Sequence, residues 1–146
     1  LSNWRDLSEF EYISPNSIDF YWATVVFFRK SPVAKILFDC VKHVQQNWQH
    51  YRNLYQITNP VFRNDFAFSI AVHIMNGNKK GNFIKQLPGT LYYITDRDLL
   101  IEETDGVFKF LVEKKDSTGY FPVKITGENV HIINKFSLGR YIDEQS

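Results

Sequence analysis

The chain has 146 residues, 44% of them hydrophobic and 16% aromatic, enough for one folded domain that buries roughly two-thirds of its unfolded surface. Seventeen Lys and Arg against sixteen Asp and Glu leave a formal charge of +1, which excludes a broad field for nucleic acid or anionic membrane, so a charged ligand must be met locally. No apolar run approaches the roughly 20 residues of a membrane span, and Cys40 is the single cysteine, so a soluble chain in a reducing, cytoplasmic setting is expected.

The first strong element is DFYWATVVFFRK, Asp19 to Lys30. Its unbroken run of apolar or small residues from Phe20 to Phe28, rich in β-branched and aromatic types, predicts a strand buried on both faces. Ser31 then offers an N-cap and Pro32 a preset first helical residue. Val33, Leu37, Val41, Val44, Trp48, Tyr51 and Tyr55 come at steps of three or four, which predicts one long amphipathic helix from Pro32 to Leu54 lying on the sheet. Pro60 interrupts, and the next helix is predicted over Asp65 to Asn76 with Gly77 as a left-handed terminus. Only Ser69 and His73 are polar within its body, so it is expected to be buried nearly all round.

NGNKKGN reads as a polar, mobile loop and NFIKQLPG as a short helical turn. Beyond Gly89 the period changes to two, and strands are predicted at Thr90–Thr95, Asp98–Glu103, Val107–Glu113, Tyr120–Ile125 and Asn129–Asn134. Asp105-Gly106 is a strong hairpin signal between the second and third. The expected class is therefore α/β, or mixed α+β for a fragment standing alone, with a buried strand, a long helix, a buried helix and a strand-rich C-terminal half. No linker or repeat interrupts residues 1–146, which read as a single domain, and a start at Leu1 instead of Met leads us to expect the C-terminal portion of a longer protein.

Three groups carry candidate chemistry. Arg63, Asn64 and Asp65 precede the buried helix, where capping and a helix-dipole partner explain them as well as an active site does. Asp96 and Asp98 in TDRD have the spacing with which two carboxylates hold a divalent cation, although a turn between short strands gives the same pattern. His131 lies in an apolar alternating strand, closed by Asn134, Lys135 and Arg140, donors suited to phosphate oxygens or to a basic surface. His43, His50 and His73 lack a second ligand at helical spacing, Cys40 reads as a buried structural thiol, and NGNKKGN lacks the order and spacing of a Walker A loop.

The succession YWATVVFF, capped helix, RNDFAFSIA and VHIINK resembles the second half of glycosyltransferases of the A-type fold, the nucleotide-diphospho-sugar transferases. The resemblance implies that Tyr21 to Phe28 form the strand beneath the donor sugar, with Trp22 where the family has asparagine. It further implies that Asn64 and Asp65 match the N-D pair beside the sugar, Asn64 binding substrate and Asp65 acting as the catalytic carboxylate. His131 would complete the metal and diphosphate site, and Asn134 and Lys135 would bind substrate. The same resemblance implies a divalent metal, manganese or magnesium, a nucleotide-sugar donor and an N-terminal half supplied from elsewhere. The alternative is a non-catalytic protein-interaction or structural module, with Asp65 a helix cap, His131 structural and an exposed strand edge recruiting a protein partner.

Overall fold

The computed structural model describes residues 11–15, 17–85, 91–114 and 116–145. The chain divides into two compact units, one of residues 7–86 and one of residues 87–146 with 1–6. Helices fill the first and strands dominate the second, so the class is mixed α+β.

In the helical unit, Ser31 caps α1 (Pro32–Gln46) by accepting the Ala34 N–H at 3.1 Å, as its position before Pro32 requires. The long helix expected to Leu54 is two helices. Asn47 leaves helical geometry at φ −111°, ψ 31°, and its Nδ2 turns back to donate to the His43 carbonyl at 2.9 Å. Its own carbonyl accepts the His50 N–H, which starts α2 (Trp48–Leu54). A short polar side chain that competes for backbone groups is a local reason for such a break. The apolar stripe survives it: Leu37 and Val44 are buried, and Val41, Trp48, Tyr51 and Tyr55 pack on the core, while Val33 is exposed.

The third helix, α3 (Asn64–Met75), is the centre of this unit, with every residue from Phe66 to Val72 buried. Phe66, Ala67 and Ile70 face a cluster with Ile13, Val44 and Ile57, whereas Phe68, Ala71 and Val72 face another with Leu37. Trp48 stacks on Phe66 at 6.0 Å and 12°. Gly77 lies beyond the helix with φ +72°, the left-handed turn that its position predicts.

The largest departure from expectation is the run 20–28, which forms no strand; its nearest pairing is an isolated antiparallel bridge between Tyr12 and Asp19. Backbone donors in a buried segment must be satisfied somewhere; the Glu11 carbonyl accepts the Phe20 N–H at 2.9 Å, and α3 meets those of Tyr21 and Ala23. The Tyr21 N–H donates to Ser69 Oγ at 2.8 Å and the Ala23 N–H to Asp65 Oδ1 at 2.9 Å. Apolar composition draws the segment to a buried surface, and Tyr21, Ala23 and Val26 pack against the cluster of Leu37 and Phe68. Composition alone does not distinguish a helix face from a sheet as that surface.

The strand-rich unit holds β1 (Leu91–Ile94), β2 (Leu99–Thr104), β3 (Val107–Glu113), β4 (Tyr120–Thr126), β5 (Asn129–Ile132) and α4 (Lys135–Gln145). β2, β3 and β4 form an antiparallel meander and β1 pairs with β5 in parallel, Tyr93 opposite His131. Asp105 and Gly106, at φ +52° and +75°, make the two-residue turn that matches strand twist. A bulge at Ile101 interrupts the β2–β3 register and turns that side chain outward. Ile94, Leu100, Phe110, Val112 and Ile125 form the core, and Leu138 and Tyr141 of α4 pack on it. No helix is expected there from the sequence pattern, because Gly139 and the 93%-exposed Phe136 break its apolar stripe. The helical turn expected over 82–89 is absent from 82–85, and its remainder lies outside the described residues.

Ser69→Ala leaves the Tyr21 N–H without its acceptor at a fully buried position. We expect a loss of about 2 kcal/mol in urea unfolding, with the fold retained; a change under about 0.5 kcal/mol would mean that the pin carries no stability.

Candidate functional site

Arg63, Asn64 and Asp65 form a cluster built from both chain-local and distant contacts. The helix begins at Asn64, with Arg63 at the cap position and no side-chain capping bond, so neither Asn64, which is exposed, nor Asp65, which lies in the first turn, caps it. Asp65 accepts the Ala23 N–H on Oδ1 and pairs with Arg63 Nη2 at 2.6 Å on Oδ2, with 16% of its side chain exposed. The Arg63 guanidinium lies 5.6–5.7 Å from the ring centroids of Phe20, Trp22 and Phe66, a three-sided aromatic seat for a cation. Ser69 Oγ donates to the Asp65 carbonyl at 2.7 Å while it accepts from Tyr21. The carboxylate thus joins the first turn of α3 to the 20–23 segment, and both its oxygens already accept protein hydrogen bonds.

The remaining candidates belong to the strand-rich unit. His131 is half-buried in β5, its ring edge-on to Tyr93 at 5.9 Å. Asn134 caps α4: Oδ1 accepts the Ser137 N–H and Nδ2 donates to the Asp98 carbonyl, each at 2.9 Å. Lys135 is exposed in the first turn of α4, and Arg140 Nη2 reaches the Leu100 carbonyl at 3.4 Å.

The two aspartates of TDRD separate sharply. Asp98 is fully buried and accepts from the Thr95 N–H and hydroxyl, both at 2.8 Å, and from the Glu113 N–H at 3.0 Å, whereas Asp96 is exposed. Asp98 therefore ties the β1–β2 turn to β3. Among the described residues no group of three His, Cys, Asp or Glu side chains is arranged to hold a metal ion. Burial raises the Cys40 thiol above its ordinary pKa, which keeps it protonated at neutral pH, in accord with a structural thiol.

One cleft was not singled out from the sequence as a site. It occupies about 260 Å³ in the helical unit, between Tyr12, the 17–21 segment, the end of α3 and the loop that carries Lys79 and Lys80. That loop is tightly built: Asn76 Oδ1 accepts the Phe83 N–H at 3.1 Å, and Asn78 is left-handed at φ +57°. Gly81 lies so close that an added Cβ would stand 2.3 Å from Asn76 Oδ1. Lys80 approaches Asp19 at 3.7 Å across the cleft. The Tyr21 phenol is raised above its ordinary pKa, first by burial and then by Asp19, with Lys80 offsetting in part, so at neutral pH it remains an O–H donor. The signal in the sequence was the pair of lysines between glycines at a helix end, which polarity alone assigns to solvent.

Comparison with protein-family models, with curated proteins and with solved structures returned no match.

Asp98→Ala removes the acceptor of three hydrogen bonds at a fully buried position. A loss of about 3 kcal/mol is expected, against less than about 0.5 kcal/mol for Asp96→Ala. Parallel denaturant titrations decide between this role and a shared one, for which the two losses would be alike.

Proposed function

We propose that this chain is a non-catalytic interaction module that receives an extended segment of a partner protein along residues 25–30. The observation that carries the reading is the mismatch between that stretch and its setting. Its residues have the composition of a buried strand, yet they lie outside any helix or strand. Past the turn at residues 23 and 24, no backbone hydrogen bond is made by residues 26–30 among the described residues. Val25, Phe27 and Phe28 are 47%, 78% and 61% exposed, and Phe28 meets Phe38 of α1 edge-on at 4.8 Å beside exposed Val33 and Ile36.

Strand addition supplies both missing partners at once, a hydrogen-bonded neighbour for the backbone and cover for the aromatic rings. Arg29 and Lys30 end the stretch with no ion pair among the described residues, so the segment that fits is apolar with an acidic terminus. The meander offers poorer edges: β4 carries Pro122 and Lys124, both residues that blunt strand addition, and the Leu100 backbone of β2 is already bonded to Ser137 of α4. The competing reading, sugar transfer from a nucleotide-diphosphate donor with manganese or magnesium, asks Asp65 to act on a ligand with a carboxylate already engaged by Ala23 and Arg63.

Two measurements separate the readings. Calorimetry with uridine and guanosine diphosphate sugars plus manganese should give no heat, and Asp65→Ala should cost about 2 kcal/mol of stability. Saturable heat that Asp65→Ala abolishes would replace this reading with transfer chemistry. A synthetic peptide of alternating Val and Ile with a glutamate terminus should shift the amides of residues 25–30 in NMR spectra, and Phe27→Asp should abolish the shifts while leaving stability within about 0.5 kcal/mol. Shifts elsewhere, or none, would contradict strand addition.

A further inference from the structure

We infer that the cleft at the end of α3 binds a small oxyanion, a carboxylate or a phosphate monoester, attached to a single apolar ring. The cleft leaves hydrogen-bonding capacity unused, and its ligand does not depend on strand addition at residues 25–30.

Three of the cleft's side-chain acceptors are already engaged. Ser69 Oγ already accepts from Tyr21 and donates to Asp65, and Asn76 Oδ1 accepts from Phe83. The Asp19 carboxylate faces Lys80 at 3.7 Å. Its donors are not spent. Lys79 has no ion-pair partner among the described residues, Lys80 keeps donors beyond its one approach to Asp19, and the hydroxyls of Tyr12, Ser17 and Tyr21 have no hydrogen-bond partner among the described residues. A lysine ammonium carries three donors and no acceptor, whereas a hydroxyl can donate or accept, so the two lysines tip the balance toward a ligand rich in acceptors. Asp19 offsets one of the two lysines, so the pair leaves one positive charge at the cleft, which selects an anion over a neutral acceptor.

Volume and wall chemistry describe the rest of the ligand. A cleft of about 260 Å³ lies just below the size range of sites for drug-sized molecules and so suits one ring with one charged group. Ile18, Val72 and the rings of Tyr12 and Tyr21 supply its apolar wall. The loop bearing the lysines is already fixed by the Asn76–Phe83 hydrogen bond and by the close fit of Gly81, so less ordering entropy opposes binding.

The test uses the whole chain, labelled for NMR, titrated with phenyl phosphate, benzoate, inorganic phosphate and phenol. Phenyl phosphate, benzoate or both should shift amides at residues 17–21 and 76–81 saturably, and the tighter of the two identifies the anion. Inorganic phosphate and phenol should each bind at least about tenfold more weakly than that ligand, because each offers half of the recognition. Lys79→Ala/Lys80→Ala should weaken binding by about tenfold or more, without unfolding the chain, since the Lys80 side chain is 84% exposed. Gly81→Ala, whose methyl would collide with the Asn76 side chain that holds the loop, should weaken binding with both lysines still present. Unsaturable shifts, shifts spread over lysines outside the cleft, or equal affinity in the double-lysine variant would overturn the inference.

Discussion

Two side chains one helical turn apart hold the helical unit in its observed form. Asp65 and Ser69 project from the start of α3 and accept the N–H groups of Ala23 and Tyr21. An apolar segment cannot be buried with its donors unsatisfied, since each such group costs about 1–3 kcal/mol. These two acceptors therefore permit the segment to lie against a helix, where no ladder exists. They also account for Asp65 itself: the charge that remains after Ala23 is met is balanced by Arg63, which Phe20, Trp22 and Phe66 surround.

The reach of this pin sets the course of the chain beyond it. Tyr21 and Ala23 are held, Val26 still packs against the core, and past that point no hydrogen bond joins the segment to α3 among the described residues. The stretch to Lys30 then runs exposed until Ser31 caps α1. The exposed stretch on which the proposed strand addition rests is thus the part of the segment that lies beyond the reach of the pin. On the other side of the pin, Tyr21 and Ser69 form part of the cleft faced by Lys79 and Lys80, so the geometry of that cleft depends on the same contacts.

The strand-rich unit was the more legible in the sequence, because alternation and turn chemistry act locally. Asp105-Gly106 fixes a hairpin by its backbone preference alone, and Val107–Glu113 forms over the span that its pattern predicts. Helix α3 was legible for a similar reason, since its apolar body and terminal glycine admit few alternatives. The 20–28 segment was not. β-branched and aromatic residues report that a segment is to be buried, and only tertiary context reports against what. The break at Asn47 and the helix after Asn134 were hidden because single asparagines made both boundaries.

The candidate site was legible as a location and less so as a role. RNDF does mark a place where distant parts of the helical unit meet, and the carboxylate there is the one that joins them. Nothing in its local spacing distinguishes a residue that meets a substrate from one that meets a backbone amide. Native-state hydrogen exchange makes that distinction residue by residue. The Tyr21 and Ala23 amides should exchange as slowly as the core amides of α3, through the same global opening, while the amides of residues 25–30 exchange at nearly the rate of an unfolded chain. Rapid exchange at Ala23, or protection across 25–30 in the isolated chain, would contradict the pin and the open stretch beyond it.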